Sequence, residues 1–280
     1  MYRTSTKWRK NQTLLIAEVA CTWRTDSGPL KSGEWQRLCL LADDVKAAGF
    51  DAFKIQWTSD AQAMARRRRM PDHRPYLPLE FEPAWLGSLS RLCTARDLQP
   101  MVTVYLPEDV AVIAPLVSCY KVASLEADSP TLFEAYQRVP PRPIYISTGA
   151  RDEAGLVRTM TRWGSSRYPA SFLHCVATYP ASLSSLHLQC LQQYGLDGFS
   201  DHTGHEWTGA FAVMAGAHVI EVHVRPVECP PDNADVGHSL HGEGMKRYVE
   251  HARLAAIVLG APLKRLDPSE SALLPHLVTD

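Results

Sequence analysis

Two histidines, His202 and His223, stand at the ends of two short apolar runs, 198–200 and 218–224, with about one helix of sequence (206–215) between them. Read as strand, helix, strand, this unit sets two parallel strands side by side with both ends on one face. The two imidazoles can then converge on a single divalent metal ion, with Ser200, Asp201 and Glu221 around it. Either histidine alone reads as a hydrogen-bonded interior residue rather than a ligand; the pair is what points to a metal. Charged and polar residues inside other apolar runs carry the same kind of signal: Glu18 in TLLIAEVAC, Lys54 and Gln56 in AFKIQW, Lys121 and Ser124 in CYKVAS. Burying such groups is costly unless they are paired. Two lysines and several carboxylates in one mouth therefore suggest an anionic ligand held opposite acidic groups. The competing reading is that Glu18 pairs with Lys54 or Lys121 as a purely structural salt bridge.

The elements that must position these residues alternate between β-rich runs and helical patterns. Strands are expected at 13–21, 52–57, 100–106, 119–124, 143–148, 172–178, 198–200 and 218–224. Helices are expected at 34–48, 84–97, 110–116, 130–138, 153–163, 183–194, 206–215 and 245–259. Eight strand–helix repeats are the number that closes a (β/α)₈ TIM barrel. An open doubly wound sheet would show a glycine-rich phosphate turn after its first strand, and the chain has EVACTW there. In a barrel the site is built at the C-terminal strand ends. That rule collects Glu18, Lys54, Gln56, Thr103, Tyr105, Lys121, Ser124, Glu126, Ser147, Thr148, Tyr179, Ser200, Asp201, His202, Glu221 and His223. The arginines at 66–69 read as a solvated loop, or alternatively as a lid that closes over an anion. His174, His205, His218, His238, His241, His251 and His276 read as structural, and Cys175 as core rather than nucleophile.

Composition narrows the partners. The chain of 280 residues is 45% hydrophobic with net charge −1, compatible with one domain over 1–280 and a core from about 13 to 260. Near-neutrality gives no electrostatic case for a nucleic-acid or membrane partner. No apolar run spans a bilayer, and the basic start MYRTSTKWRKNQ lacks a signal-peptide apolar stretch. The 7 cysteines form no CxxC pair and read as reduced thiols of a cytoplasmic protein.

Segments IAEVA (16–20), AGFDAFKIQ (48–56), YKVASLE (120–126), PIYISTG (143–149), LHCVATYP (173–180), GFSDHTG (198–204), GAHVIEVH (216–223) and DVGHSL (235–240) resemble, in order, the motifs of the sialic acid synthase (N-acetylneuraminate synthase) family. The resemblance runs from about residue 14 to 260. It implies a TIM barrel that condenses phosphoenolpyruvate with an open-chain sugar-like aldehyde, releasing phosphate. It further implies that His202 and His223 hold a divalent metal, usually manganese, with magnesium or cobalt as alternatives. Lys54, Lys121, Ser124, Tyr179 and Ser200 would contact phosphoenolpyruvate, and Glu18 and Gln56 would line the reacting centre. Glu126 would bind sugar hydroxyls, while Asp235 would sit near the sugar's amide-bearing end or assist proton transfer.

The chain departs from the family pattern at CTWRTDSG (21–28), at VYLP (104–107), at Ala177 where the pattern has asparagine, and at PPDNADVGHS, where Asp232 competes with Asp235. The sequence also stops at Asp280, where the pattern continues into a small antifreeze-like domain that supplies an arginine to a neighbouring subunit. The resemblance implies a homodimer, and the acceptor site is then open, completed by a separate domain or chain, or shaped for a different substrate. A non-catalytic ligand-binding barrel and a Schiff-base aldolase using Lys54 or Lys121 are the rival readings.

Overall fold

A computed structural model of the chain describes residues 13–26, 30–260 and 264–278. The basic segment 1–12 lies outside the described residues, as does the end of the departing stretch 21–28. Strands β1 (Leu14–Ala20), β2 (Ala52–Trp57), β3 (Gln99–Val104), β4 (Tyr120–Val122), β5 (Ile144–Ser147), β6 (Ala170–Cys175), β7 (Gly198–Asp201) and β8 (Val219–His223) follow one another around a closed barrel. Every neighbouring pair is parallel, and β1 pairs with β8 to close the ring. Outside it lie α1 (Ser32–Ala48), α2 (Ala61–Arg67), α3 (Ala84–Ala95), α4 (Asp109–Ile113), α5 (Pro130–Gln137), α6 (Glu153–Gly164), α7 (Cys190–Tyr194), α8 (Thr208–Met214) and α9 (Glu243–Leu259). This is the (β/α)₈ barrel expected from the repeats. Among the described residues no helix is long and apolar enough to cross a membrane.

Local sequence explains the boundaries. In α1 the residues Leu38, Leu41, Ala42 and Val45 recur at helical spacing and are buried against the strands. The helix stops at Gly49, whose φ of 93° is readily adopted only without a Cβ, and whose N–H bonds the Lys46 carbonyl. The side chains of Asp60, Ser129 and Asp152 accept from the backbone N–H groups of Ala63, Leu132 and Gly155, capping α2, α5 and α6.

Three expectations change. The loop carrying the arginines contains α2 and a 3₁₀ helix, Arg74–Leu79, so Arg66 and Arg67 are helical and Arg68 is the C-cap. The helix at 110–116 ends at Ile113, with Ala114 as its C-cap, because Pro115 has no N–H to continue the hydrogen-bond ladder. The helix at 183–194 splits into a 3₁₀ turn, Leu183–Ser185, and the short α7. There the Ser185 hydroxyl donates to the Ser182 carbonyl, a local bond that competes with a continuing helix.

Two apolar layers hold the barrel. The larger lies between strands and helices. The smaller fills the barrel's interior with Leu14, Ile16, Ala52, Met101, Cys119, Tyr145, Leu173 and Val219. All 7 cysteines are free thiols.

Candidate active site

Successive inward positions on a strand are two residues apart, and two residues beyond the apolar plug the interior turns to chemistry. Ile16 gives way to Glu18, Ala52 to Lys54, Met101 to Thr103, Cys119 to Lys121, Tyr145 to Ser147 and Val219 to Glu221. The register of β1 sets Glu18 beside both Lys54 and His223. A bulge follows between Glu18 and Ala20, where Ala20 takes a φ of 44° and donates its N–H to Glu18 Oε1 at 2.7 Å. The bulge re-aims the carboxylate at the strand end.

The floor is a buried charge network. Lys54 is ion-paired with Glu18, lies 3.6 Å from Glu221 Oε2 and donates to Thr103 Oγ1 at 3.0 Å. Lys121 lies 3.8 Å from Glu221 Oε1 and donates to Ser147 Oγ at 2.7 Å and the Val122 carbonyl at 3.0 Å. Ser200 donates to Glu221 Oε1 at 2.8 Å. An ammonium has three N–H donors, so each lysine keeps capacity toward the cavity above. Burial pushes the Lys54 ammonium down to about 8, against the pull of Glu221. Burial also opposes ionisation of Glu221, yet Lys121, Lys54 and the Ser200 hydroxyl hold it below the ordinary carboxylate range.

On the rim above the floor, His202, His223 and His238 stand around Tyr179, with His202 and His223 ring centroids 5.4 Å apart and His223 and His238 4.6 Å apart. The Nδ1 of His202 lies 2.8 Å from the Val176 carbonyl, an arrangement that makes Nδ1 the donor and Nε2 an acceptor, 3.5 Å from Ser200 Oγ. Burial lowers the pKa of His202 and drives that of His223 well below the usual imidazole value, so both are neutral at pH 7. Burial opposes the charge of Asp235, but His238 and His223 hold it ionised. Neutral imidazoles and an ionised carboxylate are the forms that bind a divalent ion, and the donor set fits a first-row metal.

A third wall comes from the loop arginines. Arg68 bonds Glu126 Oε1 through Nε at 2.9 Å and through its terminal nitrogen at 2.8 Å. Its guanidinium lies over Tyr105, 4.8 Å from the ring centroid, and the Tyr105 hydroxyl donates to Gln56 Oε1. Glu126 Oε2 is buried without a partner. Arg68 is thus part of the cavity wall, neither a solvated loop residue nor an open lid. Ser124 Oγ accepts from the Gly149 N–H at 3.0 Å and touches Cys175 Sγ at 3.1 Å. Burial pushes the Cys175 thiol up, which suits a core role.

These groups enclose a cavity of about 350 Å³, whose lining includes Glu18, Lys54, Gln56, Lys121, Ser124, Tyr179, Ser200, His202, His223 and Asp235. Tyr179 sits at the mouth with 53% of its surface exposed. Asp201 does not join them. It follows inward-facing Ser200, so it points outward, where its carboxylate accepts from Tyr248 and from the Thr203 N–H at 2.8 and 2.9 Å. Asp232 is exposed and outside the cavity lining, which leaves Asp235 as the acidic residue of that loop at the site. His238, read as structural, is 1% exposed and within 3.2 Å of Asp235. The only sequence signal for it is its spacing three residues after Asp235.

The family model for the NeuB family matches residues 41–264. The chain belongs to the NeuB family. The barrel superposes on N-acetylneuraminic acid (sialic acid) synthetase from Leptospira borgpetersenii serovar Hardjo-bovis with a TM-score of 0.82 and 19% identity, covering 95% of this chain and 91% of that one. Against spore coat polysaccharide biosynthesis protein from Bacillus subtilis the TM-score is 0.74 with 21% identity, covering 94% and 77%. A truncated 3-deoxy-D-arabino-heptulosonate 7-phosphate synthase from Thermotoga maritima gives 0.67 with 14% identity, covering 90% and 89%. At these identities the likeness is one of fold. No individually curated protein matches the chain. The NeuB-family match spans every strand from β2 to β8, and so all the groups described above except those of β1.

Proposed function

We propose that this NeuB-family barrel condenses phosphoenolpyruvate with a sugar-like aldehyde to give a longer keto acid and inorganic phosphate. The observation that carries the reading is the pairing, in one cavity, of a floor with two buried lysines and a rim of neutral imidazoles with an ionised carboxylate. Lys54 and Lys121, with the hydroxyls of Ser124, Tyr179 and Ser200, bind the phosphate and carboxylate of phosphoenolpyruvate. Gln56, fixed by Tyr105, orients the reacting centre. The free Oε2 of Glu126, held in place by Arg68, accepts from acceptor hydroxyls. His202 and His223 would hold a divalent ion at the rim, with manganese expected, and the bound ion would supply Lewis acidity toward the aldehyde oxygen. Carbon three of phosphoenolpyruvate, using the electrons of its double bond, bonds the aldehyde carbon, whose oxygen takes a proton. Water adds at carbon two, and the bond from carbon two to the phosphate oxygen breaks as the keto group forms and phosphate leaves. Glu18 takes the proton of that water. A Schiff-base role for Lys54 is tested by borohydride trapping with a keto acid, for which this reading expects no adduct.

Phosphate release from phosphoenolpyruvate over a panel of aldehydes, with manganese and then with a chelator, tests the reading. Release that requires both aldehyde and metal is expected. Saturable binding without release would instead support a barrel that keeps the pocket and not the turnover, a reading favoured only by Ala177, which lines the cavity without a polar group.

A pH dependence follows from Lys54. Its folded-state value of about 8 means that the charged form needed for an anion is present below that pH and is lost above it. The affinity for phosphoenolpyruvate should hold steady from about pH 6.5 to 7.5 and fall about tenfold per unit above roughly pH 8. Calorimetry across that range checks it, and a flat profile to pH 9.5 would remove Lys54 from the binding step.

A further inference from the structure

We propose that His238 is a metal ligand, which with His223 and Asp235 forms a two-histidine, one-carboxylate site, so that Asp235 serves as a ligand rather than as a free base. Among the described residues these three offer ligand atoms that all lie within 4.8 Å of one another. His238 Nε2 is 3.2 Å from Asp235 Oδ1, and His223 Nδ1 is 3.8 Å from the same oxygen. Neither distance is accompanied by hydrogen-bond geometry: both nitrogens of His238 and Nδ1 of His223 are buried without a partner. Buried nitrogens without a partner on two rings that face one carboxylate are donor atoms positioned to share a metal ion.

The surroundings hold His238 in place. It ends the 3₁₀ turn Val236–His238 that begins just after Asp235, so the two ligands come from one short loop. That backbone packs closely on Gly204, where φ is 73° and a Cβ would lie 3.1 Å from the His238 Cα. The Tyr179 ring covers the imidazole with centroids 5.0 Å apart. His202, its Nε2 3.5 Å from Ser200 Oγ, stands 6.4 Å from the His238 ring, close enough to serve as a further ligand of the same ion.

Two imidazoles and one carboxylate predict selectivity. Affinity should follow cobalt over manganese over magnesium, since imidazole suits the later first-row ions and magnesium prefers an all-oxygen shell. The proposal rests on the metal-dependent reading above, but its test does not need turnover. Cobalt is titrated into the full chain and into His238→Ala, Asp235→Asn and the remote control His218→Ala, followed by calorimetry and visible absorption, with far-ultraviolet circular dichroism to establish folding. We expect His238→Ala and Asp235→Asn to weaken cobalt binding on the order of 10- to 100-fold and to alter the visible band, with His218→Ala unchanged. If His238→Ala does not fold, His238→Gln is read in its place. Unchanged affinity and spectrum in folded His238 and Asp235 variants would overturn the proposal. A chain that binds cobalt as expected yet releases no phosphate would uphold the ligand set while sinking the synthase reading; turnover together with a folded His238→Ala variant whose cobalt affinity and spectrum are unchanged would do the reverse.

Discussion

Lys54→Met should weaken phosphoenolpyruvate binding by about 100-fold or more and reduce phosphate release at least as much. Lys54 is 2% exposed, sits between Glu18 and Glu221, and retains donor capacity toward the cavity. Truncating one member of a buried, hydrogen-bonded charge pair costs about 2–5 kcal/mol, and every 1.4 kcal/mol is tenfold in affinity. The same change leaves Glu18 with the Ala20 N–H as its remaining bond and Glu221 with Lys121 and Ser200. A loss of about 3–5 kcal/mol of stability near pH 7 is therefore expected. Its sign with pH is defined. An unpaired buried carboxylate has a raised folded-state pKa, so the native variant binds protons more readily than its unfolded chain and regains stability as the pH falls. Calorimetry with phosphoenolpyruvate and urea unfolding at pH 8 and pH 6 measure both effects. Wild-type affinity in the variant would show that the lysine is only a structural partner of Glu18.

Gly198→Ala should be the most damaging methyl group that can be added to the barrel. A Cβ at Gly198 would lie 2.2 Å from the Val219 carbonyl oxygen, 2.6 Å from Leu173 Cδ2 and 2.8 Å from Val219 Cβ. Gly198 begins β7 and pairs with both β6 and β8, so the obstruction is a neighbouring strand's backbone rather than the end of a flexible side chain. Overpacking of this kind costs about 3 kcal/mol or more, which for a domain of this size lowers the melting temperature by about 6–12 °C. Because β7 leads directly into His202 and β8 carries Glu221 and His223, the variant should also bind metal less tightly even where it remains folded. Thermal unfolding and a cobalt titration test this; a melting temperature within a degree or two of wild type would mean that the two strands are not packed as described.

The barrel and its polar floor were legible because both follow from period-two alternation. In AFKIQW, Lys54 and Gln56 share a face, and the same rule puts Ser200 and His202 inside and Asp201 outside. Grouping Asp201 with the metal residues overlooked that alternation, and its bonds to Tyr248 and Thr203 show the outward position. The segments after the strands were less legible, since their conformation depends on contacts made across the closed barrel. Nothing near residues 66–69 announces that Arg68 would be held by Glu126, 58 residues away, and by the face of Tyr105.

The sequence by itself thus determined the strand order, the closed parallel barrel, and which side chains from each strand face the mouth. Hydrophobic periodicity and strand polarity are local properties of the chain, and eight repeats leave closure as the way to bury both faces of the sheet. Only the tertiary structure decided which of those side chains meet: that Glu18 takes Lys54, that Glu221 bridges toward two lysines, and that His238 joins His223 and Asp235. Those pairings depend on register, on the bulge after Glu18 and on the fold of the loop after β8. Each is set by the free energy of satisfying buried charges and polar atoms across the whole barrel, which no single segment encodes.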